Sequence, residues 1–334
     1  MRHLSRLAAA LLVLALAACG DDDDSSSPSA TKAAGAFPVS VQHKYGTTEV
    51  KQAPKRVVTV GYTDQDAVLA LGVVPVGVGD FLGGYESRKR PWAQAALKGA
   101  SPKVVSGQQI NFEAVAAQRP DLIVAINAGL KKADYEKLSK LAPTVAQSSD
   151  YIDFGMLWEE QTLLVGGALG REAEAEKVVA RVRAKFESVR KEHPEFAGKT
   201  AILAYGGPDG YGAYAAQDTR SRFLADLGFK TPPEVDKLAK QSFFVQFSQE
   251  QFRLMDQDVV LMYGKREDVL DNPVFKRLDA VREDRVIYLD LTDQFAGALG
   301  FASALSLDYL LGEAAPQLAD AVDGKPGTKV EQPR

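Results

Sequence analysis

The sequence predicts an α/β protein of two similar lobes, each built around a mostly parallel sheet and joined by one long rigid α-helix. Three observations predict it. Short β-branched runs alternate with short helical segments in both halves of the chain, the pattern of a mainly parallel sheet covered by helices. Between the halves, residues 154–198 read as helical, and Arg171 to Glu192 carries one apolar stripe, with Val178, Val182, Phe186 and Val189 at spacings of four, four and three. Finally, Asn111, Glu113 and Asp121 stand 137 positions before Ser248, Glu250 and Asp258, each set leading through a short helix into a strand.

The elements follow in order. Arg56 to Val60 is a β-branched run ending in Gly61, a buried-strand signal. Thr63 or Asp64 can cap a helix that Gly72 stops. Pro75 to Gly79 and Lys103 to Val105 are short strands, Asn111 caps a helix to Arg119, and Asp121 to Ile126 is a strand. A helix over Asp134–Leu141 and an extended Thr144–Ala146 close the first lobe, residues 37–153. The spacer helix, Arg171–Glu192, bears charges on its open face, among them the i,i+4 pairs Arg183/Glu187 and Glu187/Lys191. His193-Pro194 and Gly198 end it. Alternation resumes over 199–320 with a strand Thr200–Tyr205, helices Ser221–Leu227 and Ser248–Met255, strands Val259–Tyr263 and Val286–Leu289, and a closing helix Ala296–Leu311. The tail, 321–334, reads as loosely ordered from Asp323 on.

The first residues bear on the compartment. Arg2, His3 and Arg6 precede an apolar run, Leu7–Ala18, too short for the roughly 20 residues that span a bilayer but proportioned as a signal-peptide core (residues 1–18). Leu16-Ala17-Ala18-Cys19 resembles the bacterial lipobox, which implies acylation of Cys19, the sole cysteine in the chain. Gly20–Gly35 holds four aspartates, four serines and no large apolar residue, so 19–36 is expected to be a lipidated flexible tether on the extracytoplasmic face of the cell membrane. The roughly 300 residues that remain suit two domains. A net charge of −4 and the lack of a basic block argue against a nucleic-acid partner.

Taken together, Arg56-Val57-Val58 into Gly61, the turn Leu71-Gly72-Val73-Val74-Pro75-Val76-Gly77, Asn111-Phe112-Glu113 through Arg119-Pro120-Asp121-Leu122-Ile123, the spacer helix and Ser248-Gln249-Glu250 resemble the class III periplasmic binding proteins, which serve ABC importers for iron-siderophores, haem and cobalamin. The resemblance covers residues 37 to about 320. It implies two Rossmann-like lobes crossed by one helix, a ligand cleft between them, and small closure motions, since bending a continuous helix is costly. It also implies a monomer that captures an iron(III)-siderophore and delivers it to an ABC permease dimer, with no catalysis, no permanent cofactor and no metal bound except within the siderophore complex. Glu113 and Glu250 match the acidic residue that, in this family, docks each lobe on permease arginines. A carboxylate in a first helical turn is also favoured by the helix dipole, and Gln251 completes a capping box with Ser248.

Ligands of open α/β sheets bind beyond the carboxyl ends of the strands. In the first lobe that places Tyr62, then Phe81, Tyr85, Arg88 and Trp92, then Asn127 and Tyr151. In the second lobe it places Tyr211, Tyr214 and Arg220, then Lys265 with Arg266, and Gln294 with Phe295. Aromatic faces can bury an organic shell, and arginines can donate charge-assisted hydrogen bonds to hydroxamate, catecholate or carboxylate oxygens. Two or three basic residues among many aromatics favour a weakly charged hydroxamate complex over a polyanionic catecholate. Cobalamin, large and nearly neutral, is an alternative, as is haem, for which Tyr62 or Tyr211 could ligate iron. A zinc or manganese site would need several histidines and carboxylates, and only His43 and His193 follow the leader. An exported hydrolase would need a nucleophile beside a base; there is no Gly-x-Ser-x-Gly elbow and neither histidine falls near the expected cleft.

Overall fold

A computed structural model describes residues 35–80, 89–323, 328–330 and 332–333. The expected leader, Cys19, nearly all of the tether, and the candidate residues Phe81, Tyr85 and Arg88 lie outside the described residues.

An antiparallel hairpin of β1 (Val39–His43) and β2 (Gly46–Val50) opens the chain. Strands β3 (Val57–Thr59), β4 (Gly77–Gly79), β5 (Lys103–Ser106), β6 (Leu122–Ala125) and β7 (Thr144–Ala146) then form a wholly parallel sheet in the order β5-β4-β3-β6-β7. Helices α1 (Asp64–Ala70), α2 (Pro91–Leu97), α3 (Phe112–Ala117) and α4 (Lys132–Ser139) connect them. Every residue of β3 and β6 is buried, as a parallel sheet covered on both faces requires. Next come α5 (Trp158–Leu169) and α6 (Glu172–Glu192). The second sheet holds β8 (Ala201–Gly207), β9 (Gly210–Tyr214), β10 (Phe244–Gln246), β11 (Val259–Tyr263) and β12 (Val286–Leu289) in the order β10-β9-β8-β11-β12. Numbered by appearance within each sheet, both orders read 3-2-1-4-5.

That shared topology explains the 137-residue offset. Asp121 accepts the backbone N–H groups of Lys55 and Arg56, just before β3, at 2.8 Å each. Asp258 accepts the Thr200 N–H at 2.8 Å, just before β8. The two carboxylates pin the entry of the equivalent central strand in each sheet. Asn111 and Ser248 likewise cap the segments that follow them, although the second is a 3₁₀ turn, Gln249–Met255, rather than an α-helix. The sheets differ in one respect: β9 pairs antiparallel with β8 and with β10. These two strands, the opening hairpin, α2, α8 (Pro233–Ala239), α9 (Arg266–Leu270) and α10 (Asp279–Arg282) were not anticipated.

The spacer helix is continuous over its 21 residues, roughly 32 Å. The predicted stripe is buried, joined by Ala175 and Val179, and the charged face is open. Alternate residues of both sheets, Val57, Leu122 and Val124 from the first and Ala201, Leu203, Val259 and Leu261 from the second, belong to the same apolar core as Val182 and Phe186 of the spacer, which itself packs on α5. The intervening residues of each sheet, such as Val58 and Ile123 or Ile202 and Val260, face two separate outer cores. The closing helix corrects the sequence reading. Ala302 adopts a left-handed conformation (φ +43°) and splits it into α11 (Gln294–Phe301) and α12 (Ala304–Val322), with Ser303 capping the latter. The second piece packs on α1, α2 and α6 while still touching β11 and β12, so the chain returns at its end to the helices of its first half. The described part of the tail is docked: Val330 is buried and the Gln332 side chain bonds Tyr288 N–H and Val286 C=O along the free edge of β12. None of the helices among the described residues is long and apolar enough to cross a membrane.

Candidate functional site

A cleft of about 320 Å³ is walled from the first sheet by Tyr62, Thr63 and Asn127, and from the second by Tyr214, Asp218, Arg220, Phe243 and Leu291. Phe154 closes its floor; it lies in a turn ahead of α5, which begins only at Trp158, so the start of the expected helical segment 154–198 is not helical. Tyr62 and Asn127 follow β3 and β6, the two neighbouring strands at the centre of the first sheet, so one anchor can hold both. Asp64 is that anchor. Its carboxylate accepts the N–H groups of Gly61 (3.1 Å), Ile126 (2.9 Å) and Asn127 (2.8 Å) and the Gln161 side-chain amide (3.1 Å). Tyr62 N–H also donates to Asn127 C=O at 2.9 Å. Complete burial pushes Asp64 up to about 6, with the four donors pulling the other way.

The cation of the cleft is Arg220. Asp218 caps α7 (Thr219–Asp226), and the Arg220 guanidinium folds back onto it in a two-bond fork, Nε to Oδ1 at 2.8 Å and Nη2 to Oδ2 at 2.6 Å. The guanidinium lies 3.8 Å from the centre of the Tyr214 ring. Burial alone would lower its pKa, but the adjacent Asp218 overrides that and raises it, so Arg220 stays charged. Of its five N–H donors, those not used by Asp218 make no hydrogen bond among the described residues. The aromatic wall continues from ring to ring: Tyr62 stacks on Phe154 at 6.0 Å, Phe154 meets Phe243 edge-on at 6.3 Å, and Tyr214 meets Tyr263 at 6.1 Å.

Of the candidates from sequence, the structure brings Tyr62, Asn127, Tyr214 and Arg220 together. It removes three. Trp92 is not on a loop: Pro91 starts α2, and the indole is buried, donating to Asp66 at 2.8 Å and packing on Phe301 and Tyr309. Asp66 also takes Arg90 and Ser303, so this cluster ties α1 and α2 to the start of α12. Tyr211 sits in the outer core with its hydroxyl on Val269 C=O at 2.7 Å. It lies three residues from Tyr214 on a strand, and an odd spacing puts two side chains on opposite faces. Lys265 is exposed and lines a separate depression with Tyr288 and Asp290, because Gly264 (φ +145°), held by Leu289 C=O, turns the chain along β12. Phe295 is buried in the shared core, and neither Tyr151 nor Gln294 reaches the cleft. Glu113 and Glu250 are both exposed in the first turns of their segments. Phe154, Asp218, Phe243 and Leu291 were missed; only Asp218, a cap residue beside an arginine, carried a readable signal.

The family described as periplasmic binding protein matches residues 57–291. The putative ABC transporter substrate-binding lipoprotein YhfQ of Bacillus subtilis is 29% identical over 274 residues, covering 75% of this chain and 81% of that protein. A periplasmic solute binding protein from Mycobacterium smegmatis superposes with a TM-score of 0.74 at 35% identity, over 85% of this chain and 98% of the other. PiaA of Streptococcus pneumoniae, solved in complex with ferrichrome, gives 0.74 at 27% identity over the same shares.

Proposed function

The chain belongs to the periplasmic binding protein family, and we propose that it captures an iron(III)-siderophore, of the hydroxamate type, and delivers it to an ABC permease. The observation that carries the ligand class is the charge balance of the cleft. Its cation, Arg220, is already paired with Asp218, so a polyanionic ferric catecholate or citrate would meet no net positive charge from the described walls. A neutral hydroxamate complex needs none: Tyr62, Phe154, Tyr214 and Phe243 cover its organic shell, and the spare guanidinium donors reach its oxygens. The pneumococcal relative solved with ferrichrome, a hydroxamate, supports this reading. The haem alternative loses one of its two tyrosines, since the Tyr211 hydroxyl is committed to Val269 in the outer core and only Tyr62 lines the cleft.

Titration of intrinsic fluorescence with ferric hydroxamates, ferric catecholates, ferric citrate, cobalamin and haem tests it. Ferric hydroxamates are expected to bind tightest, and Arg220→Ala to weaken them by about tenfold or more, the loss of a charge-assisted hydrogen bond. Tighter binding of any other class would overturn the assignment. Glu113 and Glu250, on the segments before β6 and β11, are the proposed permease contacts. Two lobes, 37–153 and 199–320, would then open and close about the spacer by small amounts. Cys19 is the proposed lipid anchor, in keeping with the lipoprotein named among the relatives. Cys19→Ala should move the protein from the membrane fraction to the soluble fraction on an immunoblot; unchanged fractionation would refute the anchor.

A further inference from the structure

Phe154 is held in a conformation that its residue type resists. Its φ of +65° lies in the left-handed region, an outlier for an aromatic side chain. It occupies the third position of a turn closed by Gly155 N–H on Ile152 C=O at 3.0 Å, where a type II turn ordinarily demands glycine. A glycine stands one residue later, yet the chain does not use it there. A Cβ on Gly155 would meet Ile152 Cγ1 at 2.8 Å, and the Gly155 carbonyl is clamped by Arg222 Nη1 at 2.9 Å. Arg222 lies on α7, the helix that presents Arg220 to the cleft. Beneath the ring is Gly129, where a Cβ would come within 2.6 Å of Phe154 Cζ. Two glycines, an arginine clamp and the flanking Tyr62 and Phe243 rings thus maintain a strained aromatic floor. Behind it, Asn127, Gln147 and Gln161 line a small polar hollow that the ring helps to separate from the cleft.

We propose that Phe154 is a specificity-determining residue of this cleft, an aromatic floor that selects ferric complexes with an apolar organic shell over small hydrophilic ones. The inference rests on the ligand reading given above. Strained residues persist only where the surroundings over-determine them, and they cluster at ligand sites; here the effect is to keep an apolar face, instead of the amides behind it, toward the cleft.

The test compares ferrioxamine B with ferric citrate on wild type, Phe154→Tyr, Phe154→Gly, Phe154→Ala and Gly129→Ala. Phe154→Gly is expected to bind ferrioxamine B about tenfold more weakly, the loss of one ring contact, with ferric citrate unchanged, so the affinity ratio falls by the same factor. Phe154→Tyr keeps the ratio. Gly129→Ala, which displaces a ring still present, lowers it. Glycine takes the left-handed conformation without cost, so Phe154→Gly should melt no lower than Phe154→Ala while sharing its loss of affinity; a scaffold role would instead make affinity follow melting temperature. An unchanged ratio, or equal losses for both probes, overturns the inference. Wild type that binds neither probe overturns the reading beneath it as well.

Discussion

Replacing Asp64 with alanine should cost about 2–4 kcal/mol of stability at neutral pH and disorder one wall of the cleft. The carboxylate is wholly buried and takes three backbone N–H groups and one amide from three separate segments. Each donor left without an acceptor costs about 1–3 kcal/mol. Water entering the vacated space recovers part of that, as does relief from burying a charge, hence a net below the sum. Because Gly61 and Asn127 are among the donors, Tyr62 and Asn127 lose their shared anchor and ligand affinity falls with stability. The pH dependence has a definite sign. The native pKa, pushed up by burial from 3.8 to about 6, lies above the unfolded one, so the folded state binds the proton more readily. The contribution of Asp64 is therefore greatest below about pH 4, declines as pH rises to about 6, and is level above that. Urea unfolding across this range should show that decline in wild type and a flatter profile in Asp64→Ala; equal stability of the two proteins at pH 7 would refute the anchor.

The double variant Glu113→Ala, Glu250→Ala should abolish uptake of the ferric complex by whole cells while leaving its affinity for the purified protein intact. Neither glutamate has a local task that its removal would expose. The Asn111 side chain caps α3, and Ser248 with Gln251 forms a complete capping box, so both segments stay closed without the carboxylates. Both side chains are exposed, and they stand on equivalent segments, α3 and the 3₁₀ turn, that lead into β6 and β11, the equivalent strands of two sheets of the same order. Truncating one partner of a charge pair that becomes buried on docking costs about 2–5 kcal/mol, so losing two exceeds about tenfold in docking affinity by a wide margin. Retained uptake, or affinity lost together with it, would contradict the docking role.

How much of this was legible beforehand depended on whether a feature lies within one segment. The spacer stripe is a period within 21 residues, and the repeat lies in caps and strand entries, so both could be read and both gave the right architecture. Long-range pairing was not readable. Gly210–Tyr214 is glycine-rich and looks like a loop; only its pairing with β8 makes it a strand and so divides Tyr214 from Tyr211. The break at Ala302 was hidden because alanine favours helix and the left-handed turn is imposed by tertiary contacts. Phe154 was hidden most deeply: local chemistry assigns its backbone conformation to the neighbouring glycine, and the reversal depends on Gly129 and Arg222, far away in sequence.

Crystals grown with ferrioxamine B, examined by anomalous scattering at the iron edge, test the central claim most directly. One iron peak is expected in the cleft bounded by Tyr62, Phe154, Tyr214, Arg220 and Phe243. A peak elsewhere, for instance in the depression beside Lys265 and Tyr288, would contradict it.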